Sequence, residues 1–387
     1  VNTNLLFTQS ETAPLPNTKM MKSRKCYRRV RYSFLLTTIF CLLIFLPHAL
    51  AQQDGNFGLP PPPPLKPKPT PTPRIEEQEL SEGDTISVST TEVLLPVTVR
   101  DASGKLVTDL KREDFRIFED GREQPLTDLE LRKVPVDVIL MVDASSSVAS
   151  NLDDFRRAVE EFVERLAPED RISLVKFDDR VELLQDWTQS RVQLRRSLRR
   201  ISPGVFTRFY DALLLAAREQ FQNGQRRHAI VVLTDGIDSQ RGYASLEMAV
   251  HALLQSGAGV YAISNTEIER AKKREELDTL LASGTTSVQF NQLRIGDLRE
   301  GLRVLDVSEQ NLERLSSVTG GRMFRPASFA NLDSVYREVA EDLRSQYSIY
   351  YSPQNKARDG RFRRVRVEIR NPQLRATTRI GYFAPRG

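Results

Sequence analysis

The stretch Val134-Pro-Val-Asp-Val-Ile-Leu-Met-Val-Asp-Ala-Ser-Ser-Ser-Val148 decides the fold. Its unbroken apolar run, Val138 to Val142, ends abruptly in Asp143, Ala144 and three serines. A strand covered on both faces reads this way, because a parallel sheet carries helices on either side and has no solvent face to alternate toward. The run is therefore read as the central strand of a parallel sheet, delivering polar side chains to a loop at its carboxyl end. Asp143, Ser145 and Ser147 stand at alternate positions and can converge on one point, where oxygen-only donors suit a hard divalent cation. A serine-rich cap on a helix beginning near Leu152 accounts for the same residues. The stretch alone does not separate the two readings.

Working outward toward the C-terminus, Phe155, Val159, Phe162, Val163 and Leu166 recur at helical spacing. Strands follow at Arg171–Phe177 and Val181–Leu184, and Asp178-Asp-Arg180 between them is too short for a crossover helix, so this pair is antiparallel. An Arg-rich helix, Val192 to Ile201, lacks the aromatic residues that stacking on a nucleic acid needs, and reads as a solvated face. Ser202-Pro-Gly-Val-Phe-Thr207 opens a further helix. His228-Ala-Ile-Val-Val-Leu-Thr-Asp235-Gly236 then repeats the opening pattern, a buried strand ending in a carboxylate. Helix Leu246–Leu254 and strand Gly259–Ser264 complete another unit. The polar segment from Asn265 to about Asp306 reads as an insertion with some helix at Ala271–Leu281. Leu312–Val318 reads as a helix, Gly321–Phe324 as an edge strand, and Leu332–Leu343 as the last helix.

Both flanks have strand patterns. Ile86–Ser89, Val93–Val99 and Phe115–Phe118 precede the central run, punctuated by the Ser-Gly and Asp-Gly turn signals at Ser103-Gly104 and Asp120-Gly121. Asp101 and Ser103 are explained by turn formation without calcium. Tyr347–Tyr351, Phe362–Arg370 and Ala376–Phe383 follow the α/β part. Each set is too small for a sandwich of its own, so the expectation is one β-sandwich built from both ends of the chain.

At 387 residues two domains and a tail are expected. The excess of 56 basic over 51 acidic residues misleads, because seven bases and one acid precede Ala51, and without them 49 bases face 50 acids. That basic cluster, the apolar run Phe34–Leu46 and Ala49-Leu-Ala51 have the order of a secretory signal peptide, with Met20 or Met21 as the expected start. The apolar run is too short for a retained membrane anchor, so no stable span is expected after cleavage. Cys26 and Cys41 both lie in this segment, which leaves no disulfide or thiol chemistry beyond it. The expected organisation is a signal peptide at 1–51, a Pro-rich polyproline II linker at 52–82, the first sandwich part at 83–133, an α/β domain at 134–345 and the second sandwich part at 346–387.

Asp143-Ala-Ser145-Ser-Ser147, then Thr207, then Asp235-Gly236, in that order, closely resemble the metal-ion-dependent adhesion site of a von Willebrand factor type A (VWA) domain. The resemblance spans about Pro135 to Leu343. It implies a doubly wound, Rossmann-like α/β sheet, mostly parallel with one antiparallel edge strand, flanked here by the β-sandwich. It also implies that Ser145, Ser147 and Thr207 supply hydroxyl ligands, and that Asp143 and Asp235 bind directly or through water. The ion would be Mg²⁺, with Mn²⁺ or Ca²⁺ as alternatives. Neutral hydroxyls beside two carboxylates leave such an ion electron-poor, so a Glu or Asp of a protein partner can take an open position. Val205-Phe206 depart from the small residue usual before the threonine and narrow the approach. Asp211, one turn on, is read as structural. Asp101-Ala-Ser-Gly104, Asp114-Phe115 and Glu119-Asp-Gly121 before the domain, with Gln346-Tyr-Ser-Ile-Tyr-Tyr-Ser-Pro353 after it, resemble exported acidobacterial proteins of this kind.

The resulting expectation is an exported, non-enzymatic adhesion protein of the periplasm, cell envelope or exterior, binding a protein and no nucleic acid. An envelope scaffold whose metal site is only structural is the alternative. A hydrolase would need a base beside Ser145 or Ser147, and neither His228 nor His251 falls where one is required.

Overall fold

The structure is a computed structural model that describes residues 92–387 except 132–133, 145–150, 222–225, 240 and 283–287. The expected signal peptide, the Pro-rich linker, the strand at 86–89, Ser145 and Ser147 lie outside the described residues. In chain order the elements are β1 (Val93–Arg100), β2 (Phe115–Glu119), β3 (Arg122–Gln124), β4 (Leu126–Leu131) and β5 (Val136–Asp143). Next come α1 (Leu152–Arg165), β6 (Arg171–Phe177), β7 (Val181–Thr188), α2 (Arg191–Leu198), α3 (Phe209–Leu215), β8 (Arg227–Thr234), α4 (Leu246–Ser256) and β9 (Ala258–Ser264). They are followed by α5 (Thr266–Ala282), α6 (Val288–Thr319), β10 (Arg322–Phe324), α7 (Leu332–Arg344), β11 (Tyr347–Tyr351), β12 (Phe362–Ile369), β13 (Arg375–Thr377) and β14 (Gly381–Phe383).

Six strands form one sheet in the order β10-β9-β8-β5-β6-β7. All neighbouring pairs are parallel except β6 with β7, which makes β7 the antiparallel edge that its short connection requires. Strand β5 is buried along its whole length. Its alternation sends Val138, Leu140 and Val142 to one face, where Phe155 and Phe162 of α1 and Tyr336 of α7 pack. Ile139 and Met141 go to the other face, against Phe209 of α3, Leu253 of α4 and Leu312 of α6. Each such fully buried large side chain stabilises the fold by roughly 1.5–3 kcal/mol, so both helical layers are needed to cover this strand. The chain leaves β5 for β6 on one side and reaches β8 on the other, placing the topological switch point at the carboxyl end of β5.

The flanking strands form two four-stranded antiparallel sheets, β13-β1-β11-β4 and β14-β12-β2-β3, each mixing strands from before and after the α/β part. Leu95, Val97, Ile117, Tyr347, Ile349, Tyr351 and Val365 share the core between them. The segment before β5 contributes β4, paired with β11.

The region after β9 differs from expectation. Helix runs from Thr266 to Ala282 and again from Val288 to Thr319, so the helix read at Leu312–Val318 is the end of a 32-residue one. Leu298, Leu305 and Leu312 are seven residues apart and buried, and they supply the apolar seam of an otherwise polar helix.

Candidate metal centre

The parallel register brings three strand ends into a row. Asp143 of β5 follows Val142, which is level with Leu233 of β8, and Thr234 of β8 is level with Ser264 of β9. Asp143 and Thr234 are both fully buried, and the Thr234 hydroxyl donates to Asp143 Oδ2 at 2.7 Å. Thr234 Oγ1 also accepts from the Gly236 N–H at 2.9 Å, which turns the chain sharply after Asp235. Gly236 has φ 72°, and a Cβ there would lie 2.7 Å from Leu312 Cγ, so glycine is required on both counts. Asp235 Oδ1 accepts from the Ile237 N–H, and its carbonyl accepts from Ser308 Oγ of α6 at 2.8 Å. Burial together with the charge of Asp143 pushes the Asp235 carboxyl up to about 7.

Thr207 is carried by a loop fastened at several points. The Gly204 N–H donates to the Ala144 carbonyl at 2.8 Å, tying the loop to the residue after Asp143. Gly204 packs so closely on Asp178 that a Cβ would stand 2.5 Å from it. Asp178 is held in turn by a buried ion pair with Lys176 at 2.6 Å. Asp179 Oδ1 accepts from the Phe206 N–H at 3.0 Å. On the other side the Thr207 N–H donates to Ser239 Oγ and the Ser239 N–H to the Thr207 carbonyl, each at 2.9 Å, which joins this loop to the one after Asp235. Thr207 is thus buried between the other two loops.

The structure therefore brings together the loops of Asp143, Thr207 and Asp235, whereas Ser145 and Ser147 fall outside the described residues. Two carboxylates and a hydroxyl, all oxygen, are donors that a hard divalent cation takes. Two carboxylates crowded so that one is driven toward protonation have the charge such an ion would balance. Asp211 serves the fold, accepting from the N–H groups of Tyr243 and Ala244. On the Thr207 loop the Arg241 guanidinium lies 3.5 Å over the Phe206 ring and Val205 is exposed, while Asp179 and Asp238 accept from the N–H groups of Phe206 and Tyr210.

Asp178, Asp179 and Ser239 were not legible as site residues. In the sequence Asp178 and Asp179 read only as a short connection between strands and nothing singles out Ser239; only the tertiary fold shows what they hold. His228 is the second residue of β8, at the end of the strand opposite Asp235; it stacks on Phe221 and contacts the Ser256 carbonyl through Nδ1. His251 packs on Phe383.

Residues 138–237 match the von Willebrand factor type A domain family. No curated protein matches the chain. Among solved structures, proximal thread matrix protein 1 from the mussel byssus, with a zinc-occupied MIDAS motif, is 18% identical over 58% of this chain and 49% of its own, with a TM-score of 0.41. A von Willebrand factor type A protein from Catenulispora acidiphila is 14% identical over 59% and 49%, with a TM-score of 0.39. An aerotolerance-related membrane protein from Bacteroides fragilis is 19% identical over 54% and 98%, also with a TM-score of 0.39. This chain spans about half the length of the mussel protein.

Proposed function

With residues 138–237 belonging to the von Willebrand factor type A domain family, a family of adhesion and protein-interaction modules, we propose that this chain is an exported, non-enzymatic binding protein. It holds a divalent cation, Mg²⁺ first, at Asp143, Thr207 and Asp235 together with Ser145 and Ser147. A protein partner supplies a Glu or Asp carboxylate to that ion. The observation that carries this reading is the fastening of the Thr207 loop to both neighbours, through Gly204 to Ala144 and through Ser239. A loop pinned on both sides sets its hydroxyl before any ion arrives, which is the preorganisation a weakly dehydrating ion such as Mg²⁺ needs.

One exposed cation beside the Thr207 loop, Arg241, supports an acidic partner. Stacking on Phe206 fixes the plane of the Arg241 guanidinium while its N–H fork stays available to a carboxylate. Export rests on the N-terminal sequence pattern. Among the described residues no helix is long and apolar enough to cross a membrane.

The test is calorimetric titration of Mg²⁺ and Mn²⁺ into the chain from Gln52 onward, beside Asp143→Ala. One-to-one binding that the variant lacks is expected. A second titration adds a glutamate-containing peptide and its alanine counterpart to the cation-loaded chain, and only the first binds. Cation uptake without any carboxylate binding would favour the scaffold reading, in which the ion only braces the loops.

A further inference from the structure

The row of strand ends does not stop at β8. Asp235 and Asn265 are the first residues past the paired strand ends Thr234 and Ser264, and the Asn265 N–H donates to the Thr234 carbonyl at 3.2 Å. That bond sets the Asn265 backbone against the peptide that joins Thr234 to Asp235. Ser264, Asn265 and Thr266 are all fully buried. Two of the three are accounted for, since Ser264 Oγ and Thr266 Oγ1 are paired at 2.8 Å. Asn265 is not: neither its Oδ1 nor its Nδ2 has a hydrogen-bond partner.

A buried amide with both ends unmade is costly, and an apolar residue of similar shape would be better tolerated unless the amide has a partner outside the chain. Its backbone carbonyl accepts from the Glu269 N–H and so begins α5. An asparagine there would ordinarily spend its side-chain oxygen on the helix N-terminus. This one does not, so helix capping does not explain it.

Resting on the cation reading above, we propose that Asn265 is a positioning residue of the same centre, its amide binding the water shell of the ion beside Asp235. A neutral amide suits that place. A third carboxylate would hold the ion more tightly and weaken its attraction for a partner's acid, whereas an amide supplies oxygen and N–H without charge.

The experiment measures Mn²⁺ affinity by calorimetry and the melting temperature in chelator for the wild-type chain, Asn265→Ala and Asn265→Asp. Asn265→Ala weakens Mn²⁺ binding ~10-fold, as loss of an outer-shell partner does, while its cation-free melting temperature stays level or rises. Asn265→Asp keeps the shape, adds a charge and binds Mn²⁺ more tightly than the wild type. Wild-type binding with Asn265→Ala within twofold of it would overturn the role of Asn265 alone. A wild-type chain that takes up no Mn²⁺ would overturn the cation reading and this role together. Should Asn265→Ala fail to fold, an unchanged affinity in Asn265→Asp overturns the proposal by itself.

Discussion

Thr234 of β8 and Asp143 of β5 are joined by a 2.7 Å hydrogen bond between side chains that have no exposed surface. The same hydroxyl oxygen accepts from the Gly236 N–H, so one threonine orients the carboxylate of one strand and the turn that follows the other. Thr234→Val keeps the shape and removes both bonds. Burying the two groups with fewer partners costs ~2 kcal/mol of stability, and Mn²⁺ affinity falls with it, whereas Thr234→Ser retains both. Urea denaturation and Mn²⁺ titration of the two variants test this, and equal behaviour of Val and Ser would show that the hydroxyl does not matter.

Gly236 meets two demands at once, a left-handed backbone and the Leu312 side chain pressed against it. Gly236→Ala should lose ~1–3 kcal/mol from conformational strain and the clash together. Adding Leu312→Ala relieves only the clash. The double variant should therefore melt higher than the sum of the two single losses predicts, by calorimetric comparison of all four proteins.

How much of this was legible follows from what each element buries. Val138–Val142 and the run ending at Thr234 are covered on both faces, so their sequences are apolar without interruption and their polar ends stand out. The same signal exists in Val260–Ile263 followed by Ser264-Asn265, and reading it as strongly would have singled out Asn265 from sequence. The helix read at Ala271–Leu281 lies inside α5 and falls short of its start at Thr266, because α5 buries little beyond Thr266 and Arg270, which leaves almost no apolar period to see. In α6 the period was present but sparse, one buried leucine per seven residues at 298, 305 and 312. Asp178, Asp179 and Ser239 act by hydrogen bonds between segments distant in sequence, and no local pattern encodes such partners.

The sandwich core has its own polar junction. Glu119 of β2 is buried and its Oε2 accepts from the hydroxyls of Tyr351 and Tyr382, at 2.7 and 2.9 Å. These tyrosines lie on β11 and β14, one in each sheet, so the carboxylate ties the two sheets together. Glu119→Leu would leave two tyrosine hydroxyls without an acceptor and cost ~2–4 kcal/mol. Glu119→Gln, which keeps an acceptor oxygen, should lose less than half as much in the same urea titration.

His228 gives the protein a pH dependence whose sign is fixed. Burial lowers its pKa, and this outweighs the contact of Nδ1 with the Ser256 carbonyl, which works the other way. The folded state therefore keeps the ring neutral at pH values where the unfolded chain, with a pKa of about 6.5, already binds a proton. Below about pH 6.5 the unfolded state holds more protons, so the stability due to this group is present above that pH and is lost as the pH falls. Stacking on Phe221 at 4.5 Å leaves little room for a hydrated imidazolium, in keeping with that direction. His228→Phe keeps an aromatic ring without a titrating group. Between pH 7 and 5 the wild-type chain should lose stability faster than His228→Phe in chelator-containing buffer, and parallel curves would show that the histidine is not the group responsible.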